Sequence, residues 1–376
     1  MQSKLPKVGT TIFTTMSKLA VEHQAINLSQ GFPNFPVDPV LVDLLEKNSR
    51  DNIHQYAPMP GNLILMENLG ELIYNQYKRQ IHVANELLIT AGATEGIFIT
   101  IQALVQHGDE VVVLDPAYDC YDPAIILAGG KAIHINLNDD FSINWKQLRE
   151  AVNQKTKMLI INNPHNPSGK TLTSDDIQSL IQLLNDRPNL ILCSDEVYEF
   201  ITFEREHLSA HQEEVLRNNS VIVSSFGKTF HITGWKIGYL VAPEKLMKEI
   251  KKVHQYVVFS VNSVAQKTLA DYLEKVKLED LSPFYNQKRL QFQKLMKGSR
   301  FDLLPCEGTY FQTARYDKIS KLNDLDFCNW LVKEVGVAAI PLSVFYDDAT
   351  DNHVIRFCFA KTDETLIQAT DKLCKI

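Results

Sequence analysis

The middle of the chain alternates short apolar runs with longer stretches of mixed polarity. Several runs have consecutive apolar residues rather than an alternating pattern, which is typical of strands buried on both faces of a parallel sheet. Seven runs therefore predict strands, at residues 86–92, 110–116, 131–137, 157–164, 190–198, 221–227 and 236–243.

The stretches between these runs show helical periodicity. Residues 94–108 and 174–186 are examples, and Ser174 is a suitable N-cap for the second. Strands that alternate with helices predict an α/β, doubly wound domain in which helices cover a mainly parallel, seven-stranded sheet.

Polar and turn-forming residues collect where the predicted strands end. Ligands bind at the carboxyl ends of the strands in sheets of this kind. The strand ends therefore predict a binding site built from Gly92 to Thr94, Asp115, Asn163, Asp195 and Ser225 to Lys228.

The two ends of the chain differ from this middle part. Residues 1–35 contain one short helical stretch and the segment GFPNFP, whose prolines and glycine exclude regular helix. A helix is predicted near residues 40–47, and a long one from about Lys245 to residue 276. After residue 281, a charged helix is followed by strand-like pieces and a helix near residues 324–335. We therefore predict an arm over residues 1–35 that packs with a small α+β domain over 282–376, and a large domain over 36–281.

Composition narrows the class of protein. The formal net charge is −7 and the isoelectric point about 5.9, which argues against a general nucleic-acid or membrane-surface binder. The six cysteines are scattered, without CxxC pairs or zinc-like spacing, and the first residues lack the apolar core of a signal peptide. We expect a cytoplasmic protein with no metal site.

The segment from Val223 to Gly238 carries the main candidate chemistry. A predicted strand ends in Ser224 and Ser225, Lys228 follows, and Lys236 stands eight residues further on. Short hydroxyl donors with a cation suit an anionic ligand. A second cation and partial burial would lower the pKa of a lysine and make it reactive. On spacing alone, two surface lysines beside a glycine-rich turn explain the segment equally well.

Nine segments in order resemble one enzyme family. They are LSQGFPNF, HQYAP, TAGATEG, DPAYDCY, NNPHNPSGK, SDEVYEF, SSFGKTFHITGWKIGY, PCEGTYF and VIRFCFAK. Together they resemble the class I, fold-type I aminotransferases, which use pyridoxal 5′-phosphate. TIFTTMS, VHQY and GVAAIPLSVF are most similar to the kynurenine and glutamine transaminase branch, with its bacterial methionine aminotransferases.

The resemblance implies a role for each matching residue. Lys228 would form the Schiff base to the cofactor and then move a proton, and Asp195 would pair with the protonated pyridine nitrogen. Tyr198 and Asn166 would donate to the phenolic oxygen of the cofactor, and Tyr118 would stack on its ring. The phosphate would be held by Ala93, Thr94, Ser225 and Lys236, and by Tyr56 of a neighbouring subunit, which implies a homodimer.

The same resemblance implies how substrate is bound. Arg356 would bind the α-carboxylate as a bidentate pair, with help from Asn166 and the backbone of Gly31. Phe13, Phe32, Tyr118 and Phe259 would surround the substrate side chain. These aromatic residues favour methionine or an aromatic or large apolar amino acid, whose amino group would pass to a 2-oxo acid by a ping-pong mechanism.

Two alternatives remain open at this point. A β-lyase acting on cysteine conjugates or cystathionine would use the same lysine, fold and cofactor. A non-catalytic regulatory protein on this scaffold is disfavoured, because such proteins carry a DNA-binding domain and the arm before the first motif is only about 25 residues long.

Overall fold

The computed structural model describes residues 2–376. Its strands are β1 Ile26–Asn27, β2 Leu87–Thr90, β3 Glu110–Asp115, β4 Lys131–Asn136, β5 Thr156–Asn162, β6 Ile191–Asp195, β7 Ser220–Ser225, β8 Gly238–Val241, β9 Asp302–Leu303, β10 Phe311–Arg315, β11 Val337–Ala338, β12 Ile340–Pro341 and β13 Val354–Cys358.

Helices lie between most of these strands. They are α1 Ile12–Glu22, α2 Pro39–Ser49, α3 Leu63–Tyr77, α4 Val83–Glu86, α5 Gly92–Leu104, α6 Tyr121–Ala128, α7 Trp145–Ala151, α8 Ser174–Asp186, α9 Glu214–Asn219, α10 Phe226–Thr229, α11 Glu244–Val257, α12 Ser263–Leu273, α13 Leu281–Leu295, α14 Asp324–Trp330 and α15 Asp363–Leu373. A π-helical turn, Leu331–Val335, extends α14.

A seven-stranded sheet forms the centre of the molecule, in the order β2-β8-β7-β6-β5-β3-β4. Strand β8 runs antiparallel to both of its neighbours, and the other pairs are parallel. Helices cover both faces through separate apolar clusters. The α/β class and the mainly parallel sheet are thus confirmed. Strands β3 and β5 to β8 are buried at most positions, which is why each contains a run of consecutive apolar residues.

Two local predictions are wrong. Thr173, not Ser174, is the N-cap of α8, and its side chain and that of Asp176 form a reciprocal capping box. The long helix predicted from Lys245 is two helices, because Phe259 lies in the left-handed region at φ 66° and ends α11.

The C-terminal part is built on a second sheet of order β12-β13-β10-β9. Strand β1 of the N-terminal segment pairs in parallel with β11, and Met16 and Leu28 belong to the same apolar cluster as Phe292 and Phe357. The exact division of the chain at residues 35 and 281 remains a prediction.

Among residues 2–376, none of the helices combines the length and the apolar composition needed to cross a bilayer.

Candidate active site

A cleft opens where β5, β6 and β7 end, between the central sheet and the C-terminal sheet. Thirteen of the fifteen residues that the family resemblance assigns to the site line this cleft: Phe13, Gly31, Phe32, Ala93, Thr94, Tyr118, Asn166, Asp195, Tyr198, Ser225, Lys228, Lys236 and Arg356. Asp115 and Asn163, which the strand ends also predict, do not line it, because their side chains bond the Asp347 N–H and the Leu208 carbonyl instead.

The other two residues that the resemblance assigns, Tyr56 and Phe259, lie outside the cleft of their own chain. The side chain of Tyr56 is 81% exposed and that of Phe259 is 45% exposed. The two rings contact each other edge to face, with centroids 5.4 Å apart. A single chain therefore leaves both residues on its surface, away from Lys228.

One end of the cleft has the features of an anion site. Helix α5 begins at Gly92, so the main-chain N–H groups at its first turn point out of the helix. Gly92 has φ 76°, and a Cβ built on it would meet the Lys236 ammonium at 3.1 Å. Lys236 lies at φ 54°, a region that non-glycine residues rarely occupy. This backbone conformation and the absence of a side chain at residue 92 let the lysine reach the helix terminus.

Lys228 is in the short helix α10, which follows β7 directly. Its ammonium lies 3.4 Å from the Gly31 carbonyl oxygen and 5.8 Å from the centre of the Tyr198 ring. Burial lowers the pKa of Lys228 to about 8, and the charge of Arg356 adds to this effect. Lys236, the second cation expected from the sequence, contributes less than Arg356. About a tenth of Lys228 is therefore an uncharged amine at pH 7, and about half near pH 8.

Asp195 ends β6 and is buried. Burial raises its pKa to about 6, while a 2.6 Å hydrogen bond from the Tyr121 hydroxyl works against that rise. Tyr121 was not among the predicted site residues. The available signal was its place at the end of the DPAYDCY segment, three residues after Tyr118.

Asn162 at the end of β5, together with His165 and Ser168 of the loop that follows, fixes the predicted Asn166. The Asn162 side chain accepts from the main-chain N–H of Asn166 at 2.7 Å and donates to the Asp195 carbonyl at 2.9 Å. His165 lies 3.0 Å from the Pro116 carbonyl oxygen and 2.7 Å from the Ser168 hydroxyl. Burial lowers the pKa of His165 to about 4, so the ring is neutral and can donate to one partner and accept from the other.

Arg356 lies on β13 and is only 1% exposed. It donates to the Asn166 side-chain oxygen at 2.6 Å and to the Ser29 carbonyl at 3.0 Å, and its guanidinium lies 3.9 Å from the centre of the Phe311 ring. Its Nε has no hydrogen-bond partner among residues 2–376. A buried cation with a free donor, facing a cleft, suits a carboxylate ligand.

Comparisons with known proteins agree with this geometry. The model of the family "Aminotransferase class I and II" matches residues 23–373. The chain belongs to this aminotransferase family. It is 46% identical to the methionine aminotransferase of Escherichia coli K12, over 99% of this chain and 97% of that protein. It is 32% identical to the kynurenine–oxoglutarate transaminase of Dictyostelium discoideum, over 98% of this chain and 94% of that protein.

A crystal structure from Escherichia coli, reported with a methionine aminotransferase function, superimposes with a TM-score of 0.98 at 45% identity, covering 100% of this chain and 99% of that one. The aminotransferase fold and the family resemblance seen in the motifs are therefore confirmed.

Aminotransferases of this family use pyridoxal 5′-phosphate, and the cleft residues fit that cofactor. The start of α5 with Ser225 and Lys236 suits a phosphate, and Asp195 suits a protonated ring nitrogen. Lys228 supplies an amine of lowered pKa. Three cations, Lys228, Lys236 and Arg356, outnumber the single carboxylate Asp195 in the lining, as anionic cofactor and substrate groups require.

Proposed function

We propose that this aminotransferase moves the amino group of methionine, or of an aromatic or other large apolar amino acid, to a 2-oxo acid. One observation carries the proposal. The buried Arg356 guanidinium lies 3.9 Å, 5.4 Å and 5.7 Å from the ring centres of Phe311, Phe13 and Phe345. A carboxylate bound by Arg356 would thus place the rest of the amino acid among aromatic rings.

The same surroundings favour a thioether or an aromatic side chain. Phe13, Phe32 and Tyr118 face the cleft, and sulfur–aromatic contacts are favourable. Arg356 is the only arginine in the cleft lining among residues 2–376. A second carboxylate, such as that of aspartate, would lack a bidentate partner there. The name of the 46% identical relative, methionine aminotransferase, supports this preference.

Lys228 carries the proton in the proposed reaction. Bound pyridoxal 5′-phosphate would supply an aldehyde that condenses with amines and a ring that withdraws electrons from the substrate Cα. Lys228, uncharged in about half of the molecules near pH 8, would bind that aldehyde at rest with loss of water. The substrate amine would displace it, and the freed Lys228 amine would then accept the Cα proton.

The other cleft residues would hold the cofactor. The N–H groups of Ala93 and Thr94, the Ser225 hydroxyl and Lys236 would bind the phosphate, since they lie at one end of the cleft. Asp195 as a carboxylate would face the ring nitrogen, Tyr118 would cover the ring, and Tyr198 and Asn166 would donate to the phenolic oxygen.

A homodimer would complete the site. Tyr56 and Phe259 lie on the surface of the single chain, beside Tyr256 at 86% and Val257 at 48% exposure. Exposed apolar side chains grouped in this way are typical of subunit interfaces. We infer that Tyr56 reaches the phosphate, and Phe259 the substrate pocket, of the neighbouring subunit.

We also infer a cytoplasmic location. The cysteines are all free thiols in the described part of the chain, and four of them are buried. Free thiols are typical of a reducing compartment.

The proposed function is tested by absorbance spectroscopy on purified protein loaded with pyridoxal 5′-phosphate. Methionine should convert the visible band of the bound cofactor to that of its amine form, with release of the matching 2-oxo acid. Lys228→Ala should abolish the conversion, and Lys252→Ala, a change at an exposed lysine far from the cleft, should leave it intact. An unchanged band in the parent enzyme, or pyruvate and ammonia formed from cysteine conjugates without any methionine turnover, would refute the proposal.

A further inference from the structure

Residues 30–32 line the cleft, and they belong to a segment, Leu28 to Phe32, whose five main-chain carbonyls all accept hydrogen bonds. The Leu28 carbonyl accepts from the Cys358 N–H at 2.8 Å, and the Ser29 carbonyl accepts from Arg356 at 3.0 Å. The Gly31 carbonyl accepts from the Tyr310 hydroxyl at 2.7 Å. We name this segment the cleft strap.

A single side chain, Lys361, holds the remaining two carbonyls of the strap. Its ammonium lies 2.8 Å from the Phe32 carbonyl oxygen and 3.4 Å from that of Gln30, and 4.9 Å from the centre of the Phe32 ring. Lys361 is only 3% exposed. Its partners are main-chain dipoles and a ring face rather than a carboxylate.

Burying an ammonium without a carboxylate is costly, and an apolar residue of similar length would avoid that cost. The buried ammonium of Lys361 is therefore best explained by the two carbonyl groups that it holds, those of Gln30 and Phe32. The strap is already tightly seated near Gly31, where a Cβ would meet the Phe311 ring at 2.7 Å. Among residues 2–376, Lys361 is the only group that hydrogen-bonds the main chain at Phe32, a residue that is 42% exposed at the mouth of the cleft. The next hydrogen bond along the segment is at Asn34, whose side chain accepts from the Thr362 N–H.

We propose that Lys361 is a positioning residue for substrate: its ammonium fixes Gln30 and Phe32 so that the strap forms a ready-made wall for the amino-acid side chain. The proposal deepens the proposed function and rests on it. The proposal predicts different effects on substrate binding and on cofactor binding. The phosphate and ring contacts come from other segments, so the loss of Lys361 should weaken substrate binding and leave cofactor binding intact.

The test compares Lys361→Met with the parent enzyme, both loaded with pyridoxal 5′-phosphate. We expect the KM for methionine to rise about tenfold, the usual effect of losing a hydrogen bond from a charged group. The kcat and the cofactor dissociation constant should stay within about twofold of the parent values. The KM for alanine, which is too short to reach Phe32, should rise much less, so selectivity for methionine over alanine should fall.

Two further variants sharpen the comparison. Lys361→Arg keeps a charged donor and should recover part of the lost affinity. Lys288→Met removes a neighbouring lysine that pairs with Asp363 and contacts no strap carbonyl. This variant should leave the KM for methionine and the KM for alanine unchanged. Faster amide exchange in residues 29–32 of Lys361→Met, with an unchanged thermal midpoint, would support the role in the strap.

An unchanged KM for methionine would overturn the proposal. So would a parallel fall of kcat, cofactor affinity and thermal midpoint, because that pattern indicates a general structural role. If the parent enzyme does not turn over methionine, the proposed function fails separately. The strap is then judged by amide exchange and by the affinity for 4-(methylsulfanyl)butanoate, which has the carboxylate and side chain of methionine but no amine. Equal exchange and equal affinity in parent and variant would then refute the role of Lys361.

Discussion

At the scale of single residues, the sequence predicts groups that a reaction needs and does not predict the groups that support them. Lys228, Asp195 and Arg356 are chemically specific, and each stands in a distinctive motif. Tyr121 and Lys361 also stand in such segments, DPAYDCY and VIRFCFAK, but their residue types alone do not indicate what they do. Their importance depends on contacts of 2.6 Å and 2.8 Å with Asp195 and with the Phe32 carbonyl, which arise only when distant parts of the chain meet.

Tyr121→Phe should weaken cofactor binding by about tenfold near pH 7, since the variant loses a hydrogen bond to a carboxylate. The direction of the effect on cofactor binding follows from the pKa of Asp195. Asp195 titrates at about 6, and the hydroxyl of Tyr121 favours its charged form. Without the hydroxyl, the pKa rises further and the carboxylate that would pair with the ring nitrogen is lost at higher pH. Dissociation constants of pyridoxal 5′-phosphate from pH 5 to pH 9 measure this effect.

The matched control for that experiment is Tyr272→Phe. The Tyr272 hydroxyl donates to Asp38 at 2.7 Å, outside the cleft. The Tyr272→Phe variant therefore shows how much the loss of any tyrosine–carboxylate hydrogen bond changes the protein. Equal cofactor affinity in Tyr121→Phe and the parent at every pH would contradict the role of Tyr121.

The pKa of Lys228 makes a second prediction at this scale. An amine attaches to an aldehyde only when it is uncharged, so the rate at which apo protein binds the cofactor covalently should rise with pH through about 8. Arg356→Gln removes a cation that lowers this pKa, and should shift the midpoint upward by roughly half a pH unit. Stopped-flow absorbance measures the rate. A midpoint that stays in place, or moves down, would show that Arg356 does not act on Lys228 through charge.

At the scale of elements, apolar runs predict the central strands because burial on both faces leaves no room for polar residues. Element ends are harder to predict, because they depend on local hydrogen bonds. Helix α3 was not predicted, although Leu65, Leu69 and Ile73 form its buried stripe. The end of α11 was missed because Phe259 adopts a left-handed conformation without the glycine or proline that usually marks one.

The corrected cap of α8 leads to a prediction about stability. Thr173→Ala removes the side chain that accepts from Asp176 N–H and should destabilise the protein by about 1 kcal/mol. Ser174→Ala, one residue further on, should have almost no effect, since Ser174 already lies inside the helix. Urea unfolding followed by circular dichroism measures both changes. Equal destabilisation by the two variants would show that the capping box does not stabilise α8.

At the scale of the whole molecule, the motifs predict one cleft, and thirteen of fifteen predicted residues do meet there. The two exceptions show what a single chain cannot provide. Tyr56 and Phe259 are exposed, although the same family resemblance implies that they act in the site. A second copy of the chain reconciles the two observations, because it would bring these side chains to the cleft of its neighbour.

Mixing two defective subunits tests this arrangement directly. Lys228→Ala and Tyr56→Ala homodimers should both be impaired, the first in reaction and the second in cofactor affinity. If Tyr56 serves the neighbouring site, a mixed dimer has one site with both defects and one with neither. Random reassociation of equal amounts should then restore about a quarter of parental activity, because half of the dimers are mixed and each has one intact site. If Tyr56 serves its own site, every site in a mixed dimer keeps one defect. If the mixture, measured at limiting cofactor, shows only the average activity of the two variant homodimers, Tyr56 does not act in a shared site. A monomeric mass by light scattering would lead to the same conclusion.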